Sequence, residues 1–269
     1  MKLTIALSTL LYKWHLPLKE AVKKISSLNY DGIEIRAGEP DISTKNLTSK
    51  KIKEFKRLID KYDLEVISLT PDWIDLNLAS SNPEIRKKSV SIVKEYLRMA
   101  SDFGAQYFTI LPGKKSVIAT PPIEKCREWS LESLEECVSL AESLKITLCL
   151  EAAPGQVMEK EGDLIDFVTE INSRYLLIAA DTSHAYVLSE PVHYFKKLKD
   201  YIGIVHIADT DGTPNAHLPP GLGKVDFIAV FLTLREINYN GDYMLEIWYP
   251  KDPDWAAKHS KAFITKLLE

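Results

Sequence analysis

Cysteine is scarce in this chain: three residues in 269, Cys126, Cys137 and Cys149, an odd number with no CxxC spacing. That pattern argues against a disulfide framework and fits a reducing cytoplasm, with Cys149 reading as a buried free thiol inside the apolar run ITLCLE. Long hydrophobic runs are absent too. Nothing approaches the ~20 apolar residues that span a bilayer. The opening MKLTIALSTLL is interrupted by Thr4, Ser8 and Thr9 and continues into YKWHLP without a small-residue cleavage site, so it reads as a first buried strand, not a signal peptide. Neither sign of charge dominates: 34 basic against 38 acidic residues leave a net charge of −4. No whole-protein field draws the chain to nucleic acid or to an anionic membrane. Low-complexity tracts, sequence-level repeats and a GxGxxG after the first strand are all missing.

What is present is a regular alternation. Eight short apolar runs begin near Leu3, Gly32, Leu64, Gln106, Ile146, Tyr175, Tyr201 and Asp242, each separated from the next by one β-plus-α length of chain. Helix signals fill the gaps. Val22, Ile25 and Leu28 recur on one face after Pro17, and Ile52, Phe55, Leu58 and Ile59 do so between Lys51 and Tyr62. Asn82-Pro83-Glu84 has the order of an N-cap followed by Pro and Glu, and opens a long helix that Gly104 can end. Further helices are expected over Val225 to Ile237 and Trp255 to Leu268. With 45% hydrophobic residues the chain can bury one large core, and eight β/α units without a linker predict a single-domain (β/α)₈ TIM barrel over residues 1–269. A doubly wound open sheet is the alternative. The longest irregular stretch, Ala208 to Lys224, exceeds an ordinary connection and is expected to be functional.

Four residues stand at or near the ends of the later runs: Glu151 in ITLCLE, Asp181 in LLIAAD, His206 in IGIVH and Glu246 in YMLE. In a parallel barrel the C-terminal strand ends form one rim, so the four are expected to converge there. Three converging carboxylates repel one another unless a cation neutralises them, and few basic residues follow these strands. A single divalent metal ion held by Glu151, Asp181, His206 and Glu246 answers that requirement. The ligand types suit Mn²⁺, Mg²⁺, Co²⁺ or Zn²⁺ and do not choose among them.

Local motifs extend the pattern. Asp181-Thr182-Ser183-His184 is followed by His206-Ile207-Ala208-Asp209 and then by His217-Leu218-Pro219-Pro220-Gly221-Leu222-Gly223-Lys224-Val225-Asp226-Phe227. A strand ending LE, then DTxH, HxxD, HxPxGxGxxDF and a last strand with LE resembles the xylose-isomerase-like barrel superfamily. That superfamily includes sugar and sugar-phosphate isomerases and epimerases, inosose dehydratases and an apurinic/apyrimidinic endonuclease branch. The resemblance implies that Glu151 and Glu246 double as the catalytic acid/base pair and that His184 binds substrate or an auxiliary metal. Proton transfer next to a carbonyl, through an enediolate, needs that combination of base and electrophile. An inosose-type dehydratase is the alternative, and an endonuclease stands behind both.

Departures from the resemblance bear on substrate. Tagatose- and psicose-type epimerases carry an Arg six residues after the strand-seven His and a second Glu six after the strand-five Glu; here those positions are Gly212 and Val157. The endonuclease branch needs further histidines where this chain has Leu69-Thr70-Pro71 and Leu111-Pro112-Gly113. His217, Glu34 and Lys114 join His184 as candidate substrate-binding residues. Glu34 is placed either to face the cavity or to pair with Arg36, and Lys114 either to hold a phosphate or carboxylate or to lie solvated beside Lys115. Trp14, His15, Trp73 and Trp248-Tyr249 fall near strand ends, where they serve as walls against a sugar ring or as core; His193 and His259 read as surface helix residues. The expected partner is a small sugar-like molecule, with neither membrane nor nucleic acid, and a homodimer is expected by analogy with other barrels.

Overall fold

The computed structural model describes residues 4–45, 48–116 and 118–269; Leu3, where the first apolar run begins, lies outside them. The strands are β1 (Ile5–Ser8), β2 (Gly32–Ala37), β3 (Glu65–Pro71), β4 (Tyr107–Ile110), β5 (Thr147–Glu151), β6 (Leu176–Asp181), β7 (Ile202–Ile207) and β8 (Tyr243–Leu245). All pairs are parallel, and β1 closes on β8 to give a barrel in sequence order. The alternative open sheet is thereby ruled out. The helices are α1 (Leu18–Ser27), α2 (Ser49–Lys61), α3 (Pro83–Phe103), α4 (Ile123–Leu144), α5 (Glu161–Ile171), α6 (Thr182–Leu188), α7 (Pro191–Leu198), α8 (Phe227–Glu236) and α9 (Pro253–Leu268). Among the described residues no helix is long and apolar enough to cross a membrane.

The strands read as near-continuous apolar runs because both of their faces are buried. Alternate side chains go to two separate cores. Ile33, Ile35, Phe108, Leu148, Leu150, Ile178, Val205 and Leu245 point outward into the large core beneath the helices. Ala6, Ile67, Cys149, Ala179, Ile204 and Met244 pack together as a second cluster, which fills the barrel interior. This parity places Glu34 and Arg36 on the same inward face of β2, between the outward Ile33 and Ile35. Gly203 occurs where the β6–β7 register slips, and a Cβ there would come within 2.9 Å of Cys149 Sγ.

Helix ends follow the sequence signals. Asn82 caps α3 through a 2.9 Å bond from Glu84 N–H, and Gly104 ends it at φ 77°. Asp181 is both the last residue of β6 and the N-cap of α6, accepting from His184 N–H at 2.7 Å. One carboxylate therefore fixes the turn that presents His184 to the rim.

The interior cluster is small, so it depends on each member. Replacing Ile204 with Ala should lower unfolding free energy by about 2–5 kcal/mol, since a barrel closed on all sides cannot collapse around the lost volume. Urea denaturation followed by circular dichroism measures this; a loss below ~1 kcal/mol would show the interior to be adaptable.

Candidate active site

Glu151, Asp181, His206 and Glu246 are all buried, and one ligand atom from each lies within 4.8 Å of the others. Their elements explain the convergence: Glu151 ends β5, Asp181 ends β6, His206 is the penultimate residue of β7, and Glu246 follows β8 directly. The backbone of Glu246 continues the ladder by donating to Ile207 C=O at 3.2 Å. His206 Nδ1 is 3.1 Å from both Glu151 Oε1 and Glu246 Oε2.

The donor set fits a divalent cation on its own geometry. Asp181 Oδ1 accepts from Ser183 Oγ at 2.6 Å and from His184 N–H, while Asp181 Oδ2 is buried without a hydrogen-bond partner. A buried carboxylate oxygen left unpaired is costly, and a cation among four such ligands removes that cost. Glu151 Oε1, Glu246 Oε2, Asp181 Oδ2 and His206 Nδ1 are the atoms that would hold it. Behind the ring, His206 Nε2 stands 3.6 Å from Glu34 Oε2, an ion-pair distance. Glu34 is fully buried and its Oε2 accepts from Ser68 and Thr70 hydroxyls, each at 2.7 Å. It thus lies behind His206, where a carboxylate orients a metal-binding imidazole.

Arg36 turns away from the ion pair with Glu34 considered above. Its Nη1 donates to Glu246 Oε1 at 2.5 Å, and its Nε to Asp72 Oδ1 at 3.2 Å. Asp72 in turn pairs with Lys13. Burial alone would raise the Glu246 carboxyl, but the His206 hydrogen bond and the charge of Arg36 hold it well below the usual range. Glu34 is driven the opposite way, upward, by burial and by the charge on Glu246. Glu246 is thus ionised and clamped at one oxygen, leaving the other for the cluster. The only sign of this clamp in the sequence is the i, i+2 spacing of Glu34 and Arg36.

The remaining predicted residues divide. His184 Nδ1 is 3.8 Å from Asp181 Oδ1 and 4.0 Å from Glu151 Oε1, and both its ring nitrogens are buried without hydrogen-bond partners. His217 stands edge-on to it, with ring centroids 5.4 Å apart, and its Nδ1 is 2.9 Å from Glu246 C=O. Both imidazoles therefore border the cluster. Lys114 is not brought to it: its ammonium donates to the Ile74 carbonyl in the loop after β3. Val157 is buried with Ala79 and Cys126, and Gly212, at φ 104°, has open space where a Cβ would stand; neither supplies a polar side chain to the cluster.

Two residues without an assigned role organise the long loop. Asp209 is fully buried and accepts from the backbone N–H groups of Gly221 and Gly223 at 2.8 Å and of Val225 at 3.0 Å. A Cβ at Gly223 would lie 2.4 Å from Asp209 Oδ1, which explains the second glycine of the motif. His259, expected at the surface, is half-buried and approaches the Pro220 carbonyl through Nε2 at 2.9 Å. The loop that carries His217 is thereby held from both sides.

Comparison with known proteins agrees with this construction. Residues 22–267 match the model of the xylose isomerase-like TIM barrel family, and the chain belongs to that family. An uncharacterized protein of Methanocaldococcus jannaschii is 30% identical over 258 residues, 94% of this chain and 85% of the other. Fructoselysine 3-epimerase of Escherichia coli O157:H7 is 29% identical over 261 residues, 94% of each chain. A crystal structure of a D-tagatose 3-epimerase-like protein superposes with a TM-score of 0.87 at 27% identity, covering 99% of this chain and 97% of that one.

Burial lowers the proton affinity of His206, but its hydrogen bonds to Glu151 and Glu246 outweigh burial and raise its pKa well above the ordinary value. Without an ion the ring is therefore protonated at neutral pH, and an entering cation must displace that proton. Metal affinity should rise with pH across the neutral range, by up to about tenfold per unit, with about one proton released per ion. Calorimetry with Mn²⁺ in buffers of differing ionisation enthalpy reads both quantities, and pH-independent affinity would refute the coupling. Replacing Arg36 with Met should cost about 10–100-fold in metal affinity or turnover, as loss of an orienting partner does. Unchanged values of both would show Glu246 to be fixed without it.

Proposed function

We propose that this protein is a divalent-metal-dependent epimerase or isomerase of a ketose-type sugar, working by proton transfer at a carbon next to a carbonyl. The observation that carries this reading is the placement of two buried glutamates, Glu151 and Glu246, at equal 3.1 Å distances from His206 Nδ1 in one cation-ready cluster. They come from β5 and β8, three strands apart in the ring, so their carboxylates approach one point from different directions. The 3-epimerase relative supports the choice of reaction.

When bound, the metal supplies positive charge that stabilises the oxygen on which negative charge develops. One glutamate, ionised, removes the proton from the substrate carbon, and the other, carrying a proton taken from solvent, delivers it to the opposite face, so the centre inverts through an enediolate; release of the first proton to solvent resets the pair. Each turnover therefore passes one solvent proton into the product, which in D₂O appears as deuterium at the inverted carbon. Arg36 keeps Glu246 ionised and fixed, and Glu34 orients His206. His184 and His217 offer ring nitrogens to substrate hydroxyls. Because Gly212 and Val157 carry no polar side chain, those two imidazoles would replace the contacts that tagatose-type epimerases make from the corresponding positions.

Exchange of substrate protons in D₂O tests the reading directly, with ketoses and their phosphates as substrates and each divalent ion supplied in turn. Glu151→Gln and Glu246→Gln should each lower exchange by about 10²–10⁴-fold, the range for loss of a positioned acid/base group. A chelator should abolish it reversibly. Exchange that survives metal removal, or that both variants retain, would overturn the assignment.

A further inference from the structure

A cavity of about 740 Å³ opens beside the cluster, lined by the loops that follow β1, β2 and β3 together with Trp248. Arg36 joins the two spaces: it lines the cavity and donates to Glu246 Oε1 at 2.5 Å. The clustered residues come from β5 to β8, so the cavity occupies the other half of the rim. A ketose whose carbonyl end sits at the cluster extends its far carbons toward it. The volume is toward the upper end of the range for small-molecule sites, more than an unsubstituted hexose fills.

The charges around the cavity are balanced in place. Lys13 and Arg36 are committed to Asp72 and Glu246. At the mouth, Asp75 lies within electrostatic range of the Lys114 ammonium, Glu39 is already engaged, and Lys45 supplies a second ammonium. Two carboxylates and two ammoniums give the mouth no net sign, so neither a cation nor an anion is favoured there. Its uncommitted surface is apolar. Trp14 and Ile74, both lining residues, are 68% and 80% exposed. Trp14 also has φ 66°, a left-handed conformation that strains a bulky side chain and that Gly or Asn would adopt more easily. Strain of this kind clusters at ligand clamps. The same lining carries Thr44, Lys45 and Asp75, so the cavity combines apolar faces with hydrogen-bonding groups. A sugar ring, with C–H faces and hydroxyl edges, matches that combination.

We infer that this cavity is a subsite for an uncharged ring carried at the far end of the ketose, a second sugar unit joined through a glycosidic bond, with its C–H face against Trp14. The inference rests on the epimerase reading for the ketose itself. It makes Trp14 a specificity-determining residue and Ile74 the second apolar contact. A terminal phosphate or ammonium would find every charge of opposite sign at the mouth already offset by one of its own sign.

Two measurements on the metal-loaded protein test it. In the exchange assay, 6-O-glucosyl-fructose should exceed both fructose and fructose 6-phosphate in kcat/KM by about tenfold, the value of roughly 55 Å² of newly buried apolar surface. Ile74→Ser should reduce that preference and Trp14→Asn should abolish it, both chiefly through KM. Asn takes up the left-handed backbone more readily than Trp, so this second variant should keep or raise Tm while it loses the preference. Equal kcat/KM for the three ketoses, a preference for the phosphate, or a Trp14→Asn protein that still prefers the glucosyl ketose would overturn the subsite. The second measurement needs no turnover: 6-O-glucosyl-sorbitol, which has no carbonyl to enolise, is titrated by calorimetry beside sorbitol. The glucosyl compound should bind about tenfold more tightly, and Trp14→Asn should remove the difference. Equal binding of the two sinks the inference. Tighter binding of the glucosyl compound by a protein that exchanges no ketose would leave the subsite standing and refute the epimerase reading instead.

Discussion

Compensation of buried charge is the constraint on which this barrel depends. Its C-terminal rim gathers the buried side chains of Glu34, Glu151, Asp181 and Glu246 around one imidazole, a concentration of negative charge that is costly in a protein interior unless it is balanced. The balance has two parts. Arg36, Asp72 and Lys13 form a chain of opposite charges that ends on Glu246. The other part is the unpaired Asp181 Oδ2 with its neighbouring ligand atoms, which create a place for a cation. Fold and site are therefore not separable: the parity that fills the interior with Ala6, Ile67 and Met244 also points Glu34 and Arg36 inward one layer above.

The same economy governs the loop after β7. Asp209 gathers the backbone donors of Gly221, Gly223 and Val225, so a 17-residue excursion is ordered by one buried carboxylate. Its role is to hold His217 over Glu246. Polar residues of the HxxD and HxPxGxGxxDF motifs thus share the work: His206 and His217 border the cluster, and Asp209 with the glycines builds the support beneath them.

Much of this was legible in the chain. Eight apolar runs at β-plus-α spacing and the absence of linkers led to the closed barrel, because a parallel strand buried on both faces leaves a continuous hydrophobic signature. Strand-end position likewise brought Glu151, Asp181, His206 and Glu246 together, since all strands of such a barrel end on one rim. Contacts between side chains from distant strands left no comparable mark. Arg36 was readable as a partner of Glu34 two residues away, yet it reaches Glu246 from across the β1–β8 closure. Lys114 stood after a strand end like the four clustered residues, yet a carbonyl of the neighbouring loop takes its ammonium.

The sequence by itself determined the barrel, the rim and the residue types gathered there, because periodicity and strand-end position are local properties that the parallel topology converts into shared space. Only the tertiary structure decided how the charges pair, which oxygen of Glu246 is clamped and which is presented, that Glu34 stands behind His206, and that a cavity opens beyond Arg36. Those outcomes depend on which side chains meet across the barrel at distances of a few ångströms, and no spacing along the chain encodes them.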